Sequence, residues 1–320
     1  VLARHAEDFF WTGRYLERAE DTARMLDVTY HGLLESPLVD SREVWLALLR
    51  VLQLERGFTE RGDGTATGAE VTEFLVLDAR NPGSILSAVT RARDDARNVR
   101  ERISTELWEA INAFYLELRA RDLRIDLERE PYGLYRMVKS RCQAVVGVAA
   151  ETMARDDGWR FLQLGRLLER AEMTTRLARV RWRQHGAADA TEVFRHWVAL
   201  LRSVAAFEAY VRRCSGAIHA AGVLEFLLCS REFPRSVLFC VRAVEEELVQ
   251  LSGNERPKQP HRLLGRVRAE LEYLEIRDLE QRGLEAFLDN LQSGLSQVAE
   301  AVEREFFPSG ADAELHALAV

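Results

Sequence analysis

Apolar residues recur at helical spacing through most of the chain. Between residues 3 and 31, Phe9, Leu16, Ala19, Ala23, Leu26 and Tyr30 fall at steps of three, four and seven, one stripe of a long helix. A second helix is predicted from Leu38, after Pro37, through Trp45, Leu48, Leu49 and Leu52, with the glycine-rich stretch 62–68 ending it. A short helix over 71–77 follows. Asn81-Pro82-Gly83-Ser84 predicts a helix start, with Asn81 as cap and Pro82 in the first turn. The helix it opens is expected to run unbroken to about Arg119, and Pro131 opens another that ends near Gly158.

From there the order repeats, with helices predicted over about 159–184, 191–214, 219–228 and 234–251. The repeat is visible in the residues themselves. Gly13-Arg14-Tyr15-Leu16-Glu17-Arg18-Ala19-Glu20-Asp21-Thr22-Ala23-Arg24 returns 152 positions later as Gly165-Arg166-Leu167-Leu168-Glu169-Arg170-Ala171-Glu172-Met173-Thr174-Thr175-Arg176, with nine of twelve residues identical. The same offset carries Trp45 onto Trp197, Glu73-Phe74-Leu75 onto Glu225-Phe226-Leu227, and Pro82 and Ser84 onto Pro234 and Ser236. This predicts a tandem duplication, 1–156 and 157–320, whose copies share one core in a single structural domain. The stretch 253–260 is expected to be an exposed loop where the second copy diverges from the first. Helices near 262–274 and 279–307 and a loosely held tail from Pro308 complete the expectation. The fold class is all-α, a large bundle of ten to twelve helices with pseudo-twofold symmetry.

Composition narrows the picture little further. The chain has 320 residues, 47% of them hydrophobic and 30% charged, which suits a globular core. Its net charge of -7 comes from 44 basic and 51 acidic side chains, so no basic nucleic-acid footprint is expected. Cys142, Cys214, Cys229 and Cys240 lack C-x-x-C spacing and read as buried free thiols. There is no charged-then-apolar leader and no run long enough to span a membrane, so the expected location is cytoplasmic.

On a helical wheel, Gly13, Glu17, Glu20 and Arg24 form a stripe beside the apolar one, while Arg14, Arg18 and Asp21 form a second polar stripe nearer the side opposite the core. Pairs spaced by three or four within one helix would explain these charges simply, at ~0.3 kcal/mol each. Retention of both acids and all three arginines in each copy argues for more. So do Gly13 and Gly165, since glycine inside a helix costs about 1 kcal/mol against alanine and suggests close helix approach. The preferred reading packs the two motif helices near a pseudo-axis, with Glu17, Glu20, Glu169 and Glu172 pairing arginines of both copies: Arg14, Arg18, Arg24, Arg166, Arg170 and Arg176.

Two E-x-x-E pairs could in principle hold a divalent metal. Carboxylate di-iron bundles carry E-x-x-H, however, and the arginines here would compete with a cation, so neither a metal nor a cofactor is expected. No local arrangement of serine, cysteine and histidine suggests nucleophilic catalysis, and no glycine-rich phosphate loop is present. Glu17 and Glu169 are the weak candidates for a general base. A second candidate surface belongs to the first copy alone: Arg93, Arg97 and Arg100 recur at helical steps, followed by Glu106, Trp108 and Asn112. Arginine forks suit carboxylate or phosphate groups.

The segments 10–20, Asn81-Pro82-Gly83-Ser84-Ile85, 92–101 and 108–112, taken together, resemble the bacterial alpha-E family, helical proteins named for a Glu-Arg signature. The chain departs from the family in having Asp94-Asp95 where Glu-Asn is usual. The resemblance implies partnership with ligases of permuted ATP-grasp fold and with transglutaminase-like proteins, in a setting of ATP-dependent amide-bond formation on a peptide or small anionic metabolite. The leading expectation is therefore an accessory partner that binds the ligase, or its peptide or small-molecule substrate, through the Glu/Arg cluster, Asn81, Ser84 and the arginine face. The alternatives are a hydrolase or transferase using a motif glutamate, and a structural, oligomeric scaffold.

Overall fold

The computed structural model describes residues 2–35, 40–61, 65–185, 190–214, 218–253, 258–276 and 283–307. Among them the chain forms fifteen α-helices and one short 3-10 turn, and no strand. They are α1 (Ala3–Glu35), α2 (Ser41–Leu52), α3 (Glu55–Thr59), α4 (Gly68–Val76), α5 (Ile85–Asn98), α6 (Thr105–Ala120), α7 (Leu123–Arg129) and α8 (Pro131–Thr152) in the first half. The second half has α9 (Asp157–His185), α10 (Ala190–Ser203), α11 (Phe207–Arg213), α12 (Ala220–Cys229), α13 (Val237–Ser252), α14 (Gln259–Glu272) and α15 (Leu284–Phe306).

The count exceeds ten to twelve because side-chain caps and left-handed residues cut helices that hydropathy alone runs together. The helix expected from 84 to 119 is two. Ile103 is extended, and the Ser104 hydroxyl accepts from Leu107 N at 3.0 Å to start α6. The helix expected over 191–214 also divides, at Ala205 with φ +51°. Gln53 breaks the first half in the same way, with φ +59° after α2. Asp122 caps the unforeseen α7 by accepting from Ile125 N.

Asn81 is not the cap of α5. Ser84 takes that role, accepting from Ser87 N at 3.2 Å, and Pro82 lies before the helix rather than in its first turn. The divergence expected at 253–260 is also corrected, because the first half breaks at the matching place, between α5 and α6. The expected helix start at Leu38, the core of the glycine-rich stretch, residues 254–257 of the 253–260 loop and the tail from Pro308 lie outside the described residues.

The two longest helices, α1 and α9, cross at the centre. Around α1 pack α5 and α8, with α6 closing the group; around α9 pack α13 and α15, with α14 closing it. Helix α2 also lies on α9, and α10 on α1. The buried apolar residues form one continuous cluster that includes both halves. Helices α3, α4 and α5 begin at Glu55, Gly68 and Ile85, and α11, α12 and α13 begin at Phe207, Ala220 and Val237, each 152 positions on.

Glycine makes the central crossing possible. A Cβ on Gly165 would collide with the carbonyl oxygen of Phe10 and lie 2.8 Å from its carbon. One on Gly13 would collide with the Leu162 carbonyl oxygen and stand 2.9 Å from Arg166 N. Backbone therefore meets backbone, and Thr12, Arg14, Glu17, Gln163 and Glu169 beside the crossing are drawn inside.

Candidate functional site: the glutamate–arginine crossing

The crossing sets the Glu-Arg pair of each motif against the other. Glu17 of α1 accepts a two-pronged fork from Arg170 of α9, Nε to Oε1 and Nη2 to Oε2, both at 2.7 Å. Glu169 of α9 accepts the reciprocal fork from Arg18 of α1, at 2.8 and 2.9 Å. Bidentate, charge-assisted bonds are the strong and directional kind. Both glutamates are sealed, at 2% and 1% exposure.

Around these forks the halves differ. On the Glu169 side, Arg14 reaches across to Glu169 at 2.8 Å and Glu172 at 2.9 Å, and Arg176 stands 3.8–3.9 Å from both. The counterpart of Arg14, Arg166, binds its own neighbour Gln163 instead. Its place near Glu17 is taken by Arg235, which meets Glu17 at 2.9 Å, Glu20 at 2.8 Å and Asp21 at 2.7 Å. Arg24 pairs with Glu20 within α1, and Gln143 of α8 donates to Glu20 at 3.1 Å.

The second polar stripe, expected away from the core, is therefore inside it. Arg14 and Asp21 are buried because the glycine contact brings α9 over that face of α1. Of the anticipated intrahelical pairs, Glu20–Arg24 is present, whereas Arg14, Arg18 and Asp21 all bond across to the second half.

The electrostatics follow from this wiring. Burial would raise the Glu17 carboxyl, but Arg170 and then Arg235 outweigh it and hold it at about 2. Glu169 is likewise held below the usual carboxylate range by Arg18 and Arg14 against its burial. Asp21 goes the other way. Burial, with Glu17 and Glu20 adding to it, pushes Asp21 up to about 7 in spite of Arg235, and its second oxygen has no partner. Burial and the nearby Arg170 bring Arg166 down to about 10.

A glutamate held at about 2 by guanidinium forks is a poor proton acceptor near neutral pH, which works against Glu17 as a base. Among the described residues, no group of three or more His, Cys, Asp or Glu side chains is arranged to hold a metal ion. The cysteines are free, and Cys142 and Cys240 are buried, with burial pushing the Cys240 thiol up to about 12.

Asn81 and Ser84 are occupied by the turn before α5. Asn81 donates to Phe74 O at 2.9 Å and accepts from Gly83 N at 2.9 Å, and both residues are buried. The arginine face is a separate place on the surface. Packing of α5 on α6 lays the Arg93 guanidinium 5.5 Å from the Trp108 ring and 5.2 Å from that of Tyr115, with Nε donating to Asn112 at 3.2 Å. Arg100 covers Trp108 at 5.2 Å. Arg97 and Glu106 are exposed nearby.

The glutamate–arginine pair is also what the family model describes. Residues 1–307 match the Alpha-E model, a predicted alpha-helical domain with a conserved ER motif. The chain belongs to the Alpha-E family. It is similar to an uncharacterized protein of Mycobacterium bovis, 28% identical over 313 residues that cover 91% of this chain and 35% of that protein. It is also similar to uncharacterized proteins of two Mycobacterium tuberculosis strains, at 28% and 27% identity with the same coverage. The chain thus spans about a third of the length of these relatives. No solved structure matches it. No described helix is long and apolar enough to cross a membrane.

Arg235 and Gln143 were missed by the sequence reading of this Alpha-E chain. Arg235 stands where the first half has Gly83, so matching of the repeats passes over it. The available signal was the contrast itself, an arginine between Pro234 and Ser236 against a glycine between Pro82 and Ser84.

Proposed function

We propose that this Alpha-E chain is a non-catalytic accessory module of an ATP-grasp-type amide ligase system, built by tandem duplication. Its two copies, 1–156 and 157–320, share one domain with pseudo-twofold symmetry, for which the constant 152-residue offset of helix starts, the left-handed pair Gln53 and Ala205 and the reciprocal Glu–Arg forks are the support. The observation that carries the non-catalytic reading is the saturation of the motif. Glu17, Glu20, Glu169 and Glu172 each hold an arginine and are buried, so these four acids lock the halves together and none of them is a free base.

This assigns recognition to the surface rather than to the cluster. The arginine–tryptophan face of α5 and α6, with Arg93, Arg97, Arg100, Trp108 and Asn112, presents guanidiniums over aromatic rings, a chemistry suited to a carboxylate of the ligase or of its peptide or small anionic substrate. The ligase setting rests on the family resemblance, and the remaining two thirds of the relatives' length leaves room for such a partner in the same polypeptide.

The test compares amide ligation by a permuted ATP-grasp ligase from the same organism, with and without the purified protein. Arg93→Ala/Arg97→Ala/Arg100→Ala is expected to remove a stimulation or co-elution that the wild type gives while leaving the fold intact. No effect of folded wild-type protein on ligation or on co-elution would end the accessory reading and leave the scaffold alternative.

A further inference from the structure

The two halves differ sharply where α1 and α9 meet their partner helices α5 and α13. In the second half, Arg160 of α9 faces Glu247 of α13 at 3.9 Å, an ordinary pairing of opposite charges. The positions 152 residues earlier are Asp8 of α1 and Asp95 of α5, two acids and no cation. Asp8 is 7% exposed, and one of its oxygens accepts from Asn98 of α5 at 2.9 Å. Its other oxygen is buried with no partner, and so is one oxygen of Asp95. Two buried carboxylate oxygens left without donors on facing helices would be a severe cost if both groups were ionised.

We infer that Asp8 and Asp95 form a proton-binding pair, a carboxyl–carboxylate dyad that holds α1 against α5 with a shared proton where the second half uses a guanidinium. A proton needs neither space nor a path wide enough for an ion, and it supplies the one donor that the pair lacks. The surroundings favour the proton. Asp8 of α1, Asp94 of α5 and Glu7 of α1 add negative charge near Asp95, and Arg91 opposes them. Helix α6, packed on the other side of α5, turns Asn112 and Trp108 to Arg93, and Arg93 in turn holds Asp94 at 3.0 Å. Burial first, and then Asp8, push Asp95 up to about 7.

The sign of the linkage follows. A carboxyl raised above its unfolded value favours the folded state at low pH, and that contribution is lost as pH rises through the folded midpoint. The contribution of the α1–α5 contact therefore declines from about pH 4 upward and is lost once pH has passed about 7. In the second half burial also raises the Glu247 carboxyl, but there Arg160 opposes it, where the first half has a second acid.

Carboxyl-carbon NMR titration of the whole chain tests the inference, with Asp8→Asn and Asp95→Asn as variants. Asp95 is expected to titrate near 7 in the wild type, and to fall by a unit or more toward the ordinary carboxylate range in Asp8→Asn. Asp95→Asn imitates the protonated form. It should raise Tm most at pH 8, less at pH 5 and hardly at all below pH 4, and so flatten the wild-type decline with pH. An Asp95 midpoint near 4, or a pH dependence of Tm that Asp95→Asn does not alter, overturns the proposal. Saturable displacement of the Asp8 and Asp95 signals by guanidinium ion at constant pH would also overturn it, replacing the proton site by a cation site.

Discussion

The Glu17 and Glu169 clusters are built from the same motif yet are wired differently. Glu169 draws its arginines from α1 and from its own helix, so Arg14, Arg18 and Arg176 all converge on it. Glu17 has one motif fork, from Arg170, and depends for the rest on Arg235, a residue outside the motif. What is common to the two clusters is the reciprocal exchange of Glu and Arg at the crossing. What differs is the charge left over. Around Glu17, the acids Glu20 and Asp21 share Arg235 and Arg24, and Asp21 is the group that ends up poorly neutralised. A buried ion-pair network is a matter of counting neighbours, and one exchanged residue changes the count.

The largest way to break the comparison is to remove one fork at a time. Arg170→Met leaves Glu17 buried with only Arg235, and a buried carboxylate stripped of its main partner should cost about 3–5 kcal/mol. Arg18→Met should cost less, since Arg14 and Arg176 still face Glu169 and the Arg18 side chain is itself one quarter exposed. Urea denaturation of both variants checks this, and equal losses would mean that the redundancy on the Glu169 side contributes nothing. Replacing both partners, Glu17→Leu with Arg170→Met, should recover part of the loss of the single variant, because no charge is then left unpaired.

Next in size is the backbone contact beneath both clusters. Gly165→Ala forces a methyl against the Phe10 carbonyl group, and since backbone cannot swing aside, α1 and α9 must separate. A loss of about 1–3 kcal/mol is expected from overpacking, despite the higher helix propensity of alanine. Gly147→Ala is the control. That glycine lies in α8 with nothing near its missing Cβ, so the same change should stabilise by a few tenths to about 1 kcal/mol. Thermal denaturation of the two variants should move Tm in opposite directions.

The sequence made the crossing legible to a degree that can be stated residue by residue. Repetition of Gly, Glu and Arg at a fixed offset identified the side chains, since paired charges and a glycine in mid-helix are unusual things to keep twice. The helical wheel could not show that α9 would cover the stripe of Arg14 and Asp21, because a wheel gives angles around one helix and not the point where two backbones touch. Arg235 was invisible for a related reason: Gly83 at the matching position leaves no repeat to notice. The breaks at 99–104 and at Ala205 carry neither proline nor glycine, so hydropathy ran through them. Ser104 and Ala205 act through a cap and a left-handed turn, which short-range periodicity does not encode.

The smallest effect sharpens the comparison most, because it isolates the leftover charge. Asp21 has Met173 as its counterpart, so only the Glu17 cluster carries a third acid. With its carboxyl pushed up to about 7 by burial and by Glu17 and Glu20, Asp21 favours folding below its unfolded value near 4 and loses that contribution as pH rises through 7. Glu17, held at about 2, has the opposite sign: its contribution is present above its unfolded value and is lost as pH falls toward 2. Asp21→Asn keeps the shape and should raise Tm at pH 8 by a few degrees, by less at pH 5, and hardly at all below pH 4. The same substitution should leave the steep acid loss below about pH 4 in place, since that belongs to Glu17 and Glu169. If Asp21→Asn instead lowers Tm at pH 8, Asp21 is ionised and fully paired with Arg235, and the two clusters are equally neutral despite their different wiring.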